Sequence, residues 1–255
     1  MDIDLNSDLG EGFGAYTMGD DGALMDIISS ANVACGYHAG DPVIMDKTVR
    51  LALSHGVDLG AHVSYPDLMG FGRRHMQMDL AELEKHVLYQ MGALYGIAKA
   101  AGHRITHMNF HGALGNIAFT DRELAKALVR AIAEFDRNLI LLVLPNTEFH
   151  RVADQAGFRT ANVFLADRAY DEKGLLVSRK IAGSVIKDVE AVKQRVQQVL
   201  DEGTVTTIEG KKLKVSVHTI LVHGDTPAAV ELAKSIRQAI ETGGGQVAPI
   251  SKILA

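Results

Sequence analysis

The sequence predicts a parallel (β/α) barrel, with an open doubly wound sheet as the competing arrangement. Two observations carry this expectation. Seven short apolar runs alternate with segments of helical period along the 255 residues. Such alternation pairs strands in parallel, because each helix carries the chain back across the sheet. The runs also end repeatedly in His, Asp or Asn followed by Gly, and in parallel α/β folds the reacting groups sit at the C-terminal ends of the strands.

The elements follow in order. Ile3–Asp8 is read as the first strand and Asn32–Cys35 as the second, which runs out through His38, Gly40 and Asp41 into a helix opened by Pro42. Gly56 stops that helix, and Val57–Ala61 is the third strand. Leu80, Leu83, Val87, Met91, Leu94 and Ala98 form an apolar stripe behind the capping box Asp79-x-x-Glu82. Gly102 ends it, and Ile105–Phe110 is the fourth strand. A second stripe, Leu124, Leu128, Ala131 and Phe135, follows a capping box read at Thr120-x-x-Glu123. Leu139–Leu144 and, beyond Gly157, Asn162–Ala166 are strands five and six. Val189, Val192, Val196 and Val199 make a third stripe, and Thr204–Val217 reads as a hairpin around Gly210. Thr219–Val222 is the seventh strand; it leads through His223, Gly224 and Asp225 into a helix opened by Pro227 and stopped at Gly243.

Composition narrows the function classes. A net charge of −5 gives no electrostatic attraction to nucleic acid or an anionic membrane. No apolar run approaches the roughly 20 residues of a membrane helix, and the acidic, alternating start is unlike a signal peptide. One cysteine, Cys35, cannot form an internal disulfide, which suggests a reducing cytoplasm. No linker or low-complexity segment breaks the series, so residues 1–255 are expected to form one domain.

Chemistry is expected where the strands end: Asn6, Asp8 and Glu11; His38; His62 and Asp67; Asn109, His111 and Asn116; Asp167, Arg168 and Tyr170; His223 and Asp225. A lone histidine there more often caps a loop than reacts, but four in one layer beside Asp8 and Glu11 reverse that preference. Cys35, inside an apolar run, reads as a core residue. The loop Gly70–Arg74 carries Arg73 and Arg74, natural partners of a carboxylate or phosphate. The chain has no glycine-rich phosphate loop of a common type, and no zinc-protease or serine-hydrolase motif.

Six ordered blocks, DLNSDLGEGFG, NVACGYHAGDP, GAHVSYPDLMGFGRR, HGALGN, LADRAYDEKGLLVSR and LVHGDTPAAV, span essentially the whole chain. In them the sequence resembles the LamB/YcsF family. The resemblance implies an irregular seven-stranded (β/α) barrel of the glycoside hydrolase and deacetylase type. It also implies an activity, that of the A subunit of an ATP-dependent 5-oxoprolinase, which acts with B and C subunits to open the lactam of 5-oxo-L-proline to L-glutamate. ATP is then a co-substrate shared with the partners. Asp8 or Glu11 is expected as the base and His111 as a proton donor. His38, His62, Asn109, Arg73, His223 and Asp225 would bind substrate, with Asp8, His38 and His62 as candidate ligands should a divalent metal be used. Where the family pattern reads K-P-H-G-A-L-Y-N, this chain has Asn109, Phe110 and Gly115; where it has Cys before the Asp of the first block, this chain has Ser7. Loss of the lysine charge predicts slow turnover of 5-oxoproline. The alternatives are a metal-dependent carbohydrate deacetylase-like hydrolase and a non-catalytic lactam-binding subunit. The oligomeric state is left open.

Overall fold

The computed structural model describes residues 1–226 and 228–255. In chain order the elements are β1 (Asp2–Leu9), α1 (Asp21–Met25), β2 (Ser30–Ala34), α2 (Pro42–His55), β3 (Asp58–Val63), α3 (Leu80–Ala101), β4 (Ile105–Phe110), α4 (Gly112–Ala118), α5 (Arg122–Phe135), β5 (Ile140–Val143), α6 (Glu148–Gln155), β6 (Arg159–Leu165), α7 (Val189–Glu202), β7 (Thr204–Thr206), β8 (Lys212–Lys214), β9 (Thr219–Val222), α8 (Ala229–Thr242), β10 (Gln246–Val247) and α9 (Ile250–Ile253).

Strands β1 to β6 and β9 pair in parallel, and β9 pairs with both β6 and β1, closing a seven-stranded barrel. Closure removes both sheet edges and rules out the open-sheet alternative. β10 adds a short parallel pairing to the start of β1, and β7 and β8 form the expected antiparallel hairpin, turning at Gly210. The helical stripes face inward: Leu83, Val87, Met91, Leu94 and Ala98 on α3, and Val192, Val196 and Val199 on α7, are buried.

Several boundaries move. β1 and β3 run one and two residues past their expected ends, because the ladder with β2 continues through Leu9 and that with β4 through Val63. α5 is capped by Asp121, whose carboxylate accepts from Glu123 and Leu124 N–H, and not by Thr120. A carboxylate is the stronger acceptor at the positive end of a helix. α8 does stop at Gly243, as expected, and the left-handed residue is the next one, Gly244. Pro227 lies outside the described residues. Gly56 and Gly102 end α2 and α3 in the left-handed conformation, as expected.

The barrel interior is partly polar. Buried Asp4 accepts from Ser29 and Ser30 hydroxyls, and Thr219 links Asp4 to Asn6. Burial raises the Asp4 carboxyl to about 6. Above it, Asn32 donates to both Asn6 and Asp8, each at 2.9 Å, and meets His107 Nε2 at 3.1 Å. Gly60 makes room for that imidazole, since a Cβ there would lie 2.1 Å from His107 Nε2.

Candidate active site

At the C-terminal mouth of the barrel, four buried side chains meet. Glu11 follows β1, His38 follows β2, His62 lies near the end of β3, and His111 directly follows β4. His38 Nε2 is 3.1 Å from Glu11 Oε1, and His62 Nε2 is 2.9 Å from His111 Nδ1. The His111 tautomer follows from its other nitrogen, whose N–H donates to the Phe71 carbonyl at 2.9 Å. Nδ1 is therefore the acceptor, and His62 supplies the proton between the rings. Asp8 Oδ2 stands 3.5 Å from the same His62 nitrogen.

A second pair faces the same space. Asp167, at the end of β6 and fully buried, lies 2.9 and 3.0 Å from His223 Nδ1 and also accepts from the Thr226 hydroxyl. A carboxylate on Nδ1 holds the proton there and leaves Nε2 free. His223, Asp8, His62 and His111 line one cavity of about 480 Å³, with Asn109, Arg73, Arg168 and Arg179 among the other lining residues.

The environments drive the carboxylates apart. Burial and the neighbouring Asp8 charge push Glu11 well above the usual carboxylate range, which favours its neutral form. Burial alone would raise Asp8 too, but His62, His223 and His111 hold it below its ordinary value. Burial and the adjacent rings keep His38 and His111 well below the ordinary histidine value. For His223 burial opposes protonation, yet Asp167 outweighs it and the net direction is up. One carboxyl pushed up, one held down and one histidine raised by its carboxylate partner set different proton affinities side by side, as an acid–base site requires.

The loops explain the glycines. Gly72 is left-handed (φ 63°), and a Cβ there would lie 2.2 Å from Ser64 Oγ and 2.8 Å from both His111 Cδ2 and His38 Cβ. Gly112 sits so close to the Gly72 carbonyl that its own Cβ would be 2.4 Å away. Gly224 approaches the Asp8 carbonyl in the same manner, at 2.3 Å. Both arginines of the Gly70–Arg74 loop already have carboxylate partners, and Arg73 also lines the cavity. Arg74 is bound to Asp67, and Arg73 to Asp225 at 2.6 Å. The second pair ties the loop after β3 to the loop after β9. Gly115, at the tyrosine position of the family pattern, packs with no room to spare: a Cβ would lie 2.8 Å from the Phe110 carbonyl. Cys35 is buried and its thiol pushed up to about 12, as suits a core residue.

Glu11, His38, His62 and His111 each offer a ligand atom, all within 4.8 Å of one another, so this set could hold a metal ion. The set differs from the Asp8, His38 and His62 expected from sequence: Asp8 touches only its edge, and Glu11 and His111 complete it. The rings of His38 and His111 lie parallel (6°) with centroids 3.9 Å apart. Their in-plane lone pairs run side by side, so one ring must turn before both can bind one tetrahedral ion. Nδ1 of His38 and of His62 also has no partner, where metal-bound histidines ordinarily donate from their second nitrogen.

Of the expected residues, Asp8, Glu11, His38, His62, His111 and His223 are brought together, and Asn109 lines the cavity. Asp67 instead caps the turn at Leu68–Gly70 and holds Arg74. Sequence reading undervalued Asp167 and missed Arg179 and His107. The last sits mid-strand and gives no signal of being inside the barrel.

The LamB/YcsF family model matches residues 3–255. The chain is 60% identical over 254 residues to a 5-oxoprolinase A subunit of Pseudomonas syringae pv. tomato, covering 100% of this chain and 99% of that protein. It is 57% identical to a 5-oxoprolinase A subunit of Bradyrhizobium diazoefficiens, with 100% of both chains covered. Among solved structures, the lactam utilization protein of Thermus thermophilus superposes with a TM-score of 0.92 at 42% identity, over 97% of this chain and 99% of that one. A putative cellobiose-phosphate cleavage protein of Enterococcus faecalis, at 13% identity and a TM-score of 0.59 over 100% and 99% of the chains, shares the fold.

Proposed function

The chain belongs to the LamB/YcsF family, and from that premise we propose that it is the ring-opening subunit of an ATP-dependent 5-oxoprolinase, converting 5-oxo-L-proline to L-glutamate. The observation that carries this reading is one cavity lined by Asp8, whose carboxyl is held low, and by a His223 whose Nε2 is left free by Asp167, with the carboxyl of Glu11, pushed up by burial, set against the lining His111 at 3.5 Å. A lactam is an unactivated amide that water attacks slowly. In our reading, the B and C partner subunits use ATP to phosphorylate the amide oxygen. His223 then takes a proton from water as that water bonds to the ring carbon. Glu11 gives its proton to the ring nitrogen as the C–N bond breaks and takes up the proton of the new hydroxyl as its oxygen becomes a carbonyl, which leaves a carboxyl phosphate for a second water to hydrolyse. Asp8 balances the positive charge that appears on His223. General acid–base catalysis of this kind contributes roughly 10²–10⁴-fold.

Asn109 belongs to the same reading: it puts a neutral amide in the cavity where the family resemblance suggests a lysine, which favours slow turnover. A divalent ion is compatible with Glu11, His38, His62 and His111 once a ring turns, and would polarise an oxygen bound to it. The convergence of those four groups is what favours a metal-assisted variant. A cytoplasmic location is also part of the reading. In the described residues no helix is long and apolar enough to cross a membrane.

The division of labour is directly testable. The purified chain alone should release no phosphate from ATP when 5-oxoproline is added, because its sequence has no phosphate-cradling loop of a common type. Adding the partner subunits should start both phosphate release and glutamate formation. Lactam-stimulated ATP hydrolysis by the isolated chain would refute the division.

A further inference from the structure

Between β6 and α7 the chain crosses back over the cavity. This crossing has little regular structure, yet its path is fixed. Val177 N–H donates to Ala169 and Ala169 N–H to Ser184, both at 3.0 Å, and Ile186 N–H donates to Asp167 at 2.8 Å. Arg168 staples the crossing from beneath: its buried guanidinium donates to the Val177 carbonyl at 2.6 Å and the Ser184 carbonyl at 3.2 Å. Ser178, Arg179 and Lys180 are thereby held in the lining of the cavity.

Charge balance separates Arg179 from the other cations there. Among the described residues, Asp8 faces His62, Asp167 holds His223, and Asp225 holds Arg73. Arg168 is committed to backbone carbonyls. Arg179 feels the charges of Asp225, Asp167 and Asp8, yet none of these carboxylates lies within ion-pair distance of it. An exposed, uncommitted guanidinium on an anchored backbone, lining a cavity whose carboxylates are already answered, suits an acidic group brought by the ligand, and its planar fork matches a carboxylate.

We propose that Arg179, with Lys180 beside it, holds the carboxylate of the lactam substrate while the ring faces the histidines; this rests on the lactam-opening reading above. Arg179 is thus a specificity residue, lying on the crossing and not on the barrel.

The test compares 5-oxo-L-proline with 2-pyrrolidinone, the same ring without the carboxylate, using wild type, Arg179→Gln and Arg179→Lys, each with the partner subunits. The wild type should prefer the carboxylated lactam. Arg179→Gln should lower kcat/KM for 5-oxoproline by roughly 10- to 100-fold, mainly through KM. Its rate with 2-pyrrolidinone should match the wild type, which also shows that the variant is folded, and Arg179→Lys should restore part of the preference. Equal losses on both lactams, an unchanged preference, or a loss confined to kcat would overturn the carboxylate role. A wild-type complex that opens 5-oxoproline without preferring it to 2-pyrrolidinone defeats this proposal alone. One that opens neither lactam defeats the reading on which it rests.

Discussion

Asp167→Asn lowers kcat for lactam opening by roughly 10²–10⁴ while the protein stays folded. The carboxylate holds the His223 proton on Nδ1 from 2.9 and 3.0 Å and leaves Nε2 bare toward the cavity. An amide in its place can donate to Nδ1, which moves the proton to Nε2 and removes the base. The pH profile gives a second readout. Burial lowers the His223 value and Asp167 raises it above the ordinary 6.5. Without that carboxylate burial and Arg179 lower the value against Asp8 alone, so the acid limb of the kcat/KM profile should move to lower pH. Steady-state kinetics from pH 5 to 9, with thermal unfolding as the control for folding, decide the matter. An unshifted limb with a wild-type rate would remove His223 from the chemistry.

Glu11→Gln should be comparably inactive and, unusually for a buried charge site, more stable in alkaline solution. Burial and Asp8 raise Glu11 well above 4.5, so between that value and its folded pKa the native state binds a proton that the unfolded state has released. Stability then falls as pH rises through this window. Glutamine mimics the neutral acid, keeps the contact with His38 and removes the titration. Urea unfolding of EDTA-treated protein from pH 5 to 9 should show a falling stability for the wild type and a flatter one for the variant. Parallel curves would mean that Glu11 is ionised in the folded protein. The activity loss follows because an amide cannot give up a proton to the ring nitrogen.

The fold was legible because its cues are local. The α3 and α7 stripes, the Asp79 cap and the Gly56 and Gly102 stops each act within one or two turns of chain. Closure was not local: β9 lies beside β1 through pairings such as Asp4 with Thr219, and no short-range pattern encodes that distance. The six residues of the proposed catalytic centre could be read because each follows or ends a strand. His107 and Asn32 could not, since a polar residue inside a strand looks the same whether it faces water or a buried partner. Arg179 was hidden for another reason. Its position depends on Arg168 gripping the carbonyls of Val177 and Ser184, and that loop has no periodicity to read.

The most direct measurement follows glutamate formed from 5-oxo-L-proline and ATP by the B and C subunits, without this chain, with it, and with its His223→Gln variant. Ring opening in this chain's cavity predicts glutamate only when the wild-type chain is present, and a rate lower by about 100-fold or more with the variant at equal assembly. Glutamate formed at the full rate by the partners on their own, or equally well with the variant, would place the chemistry elsewhere.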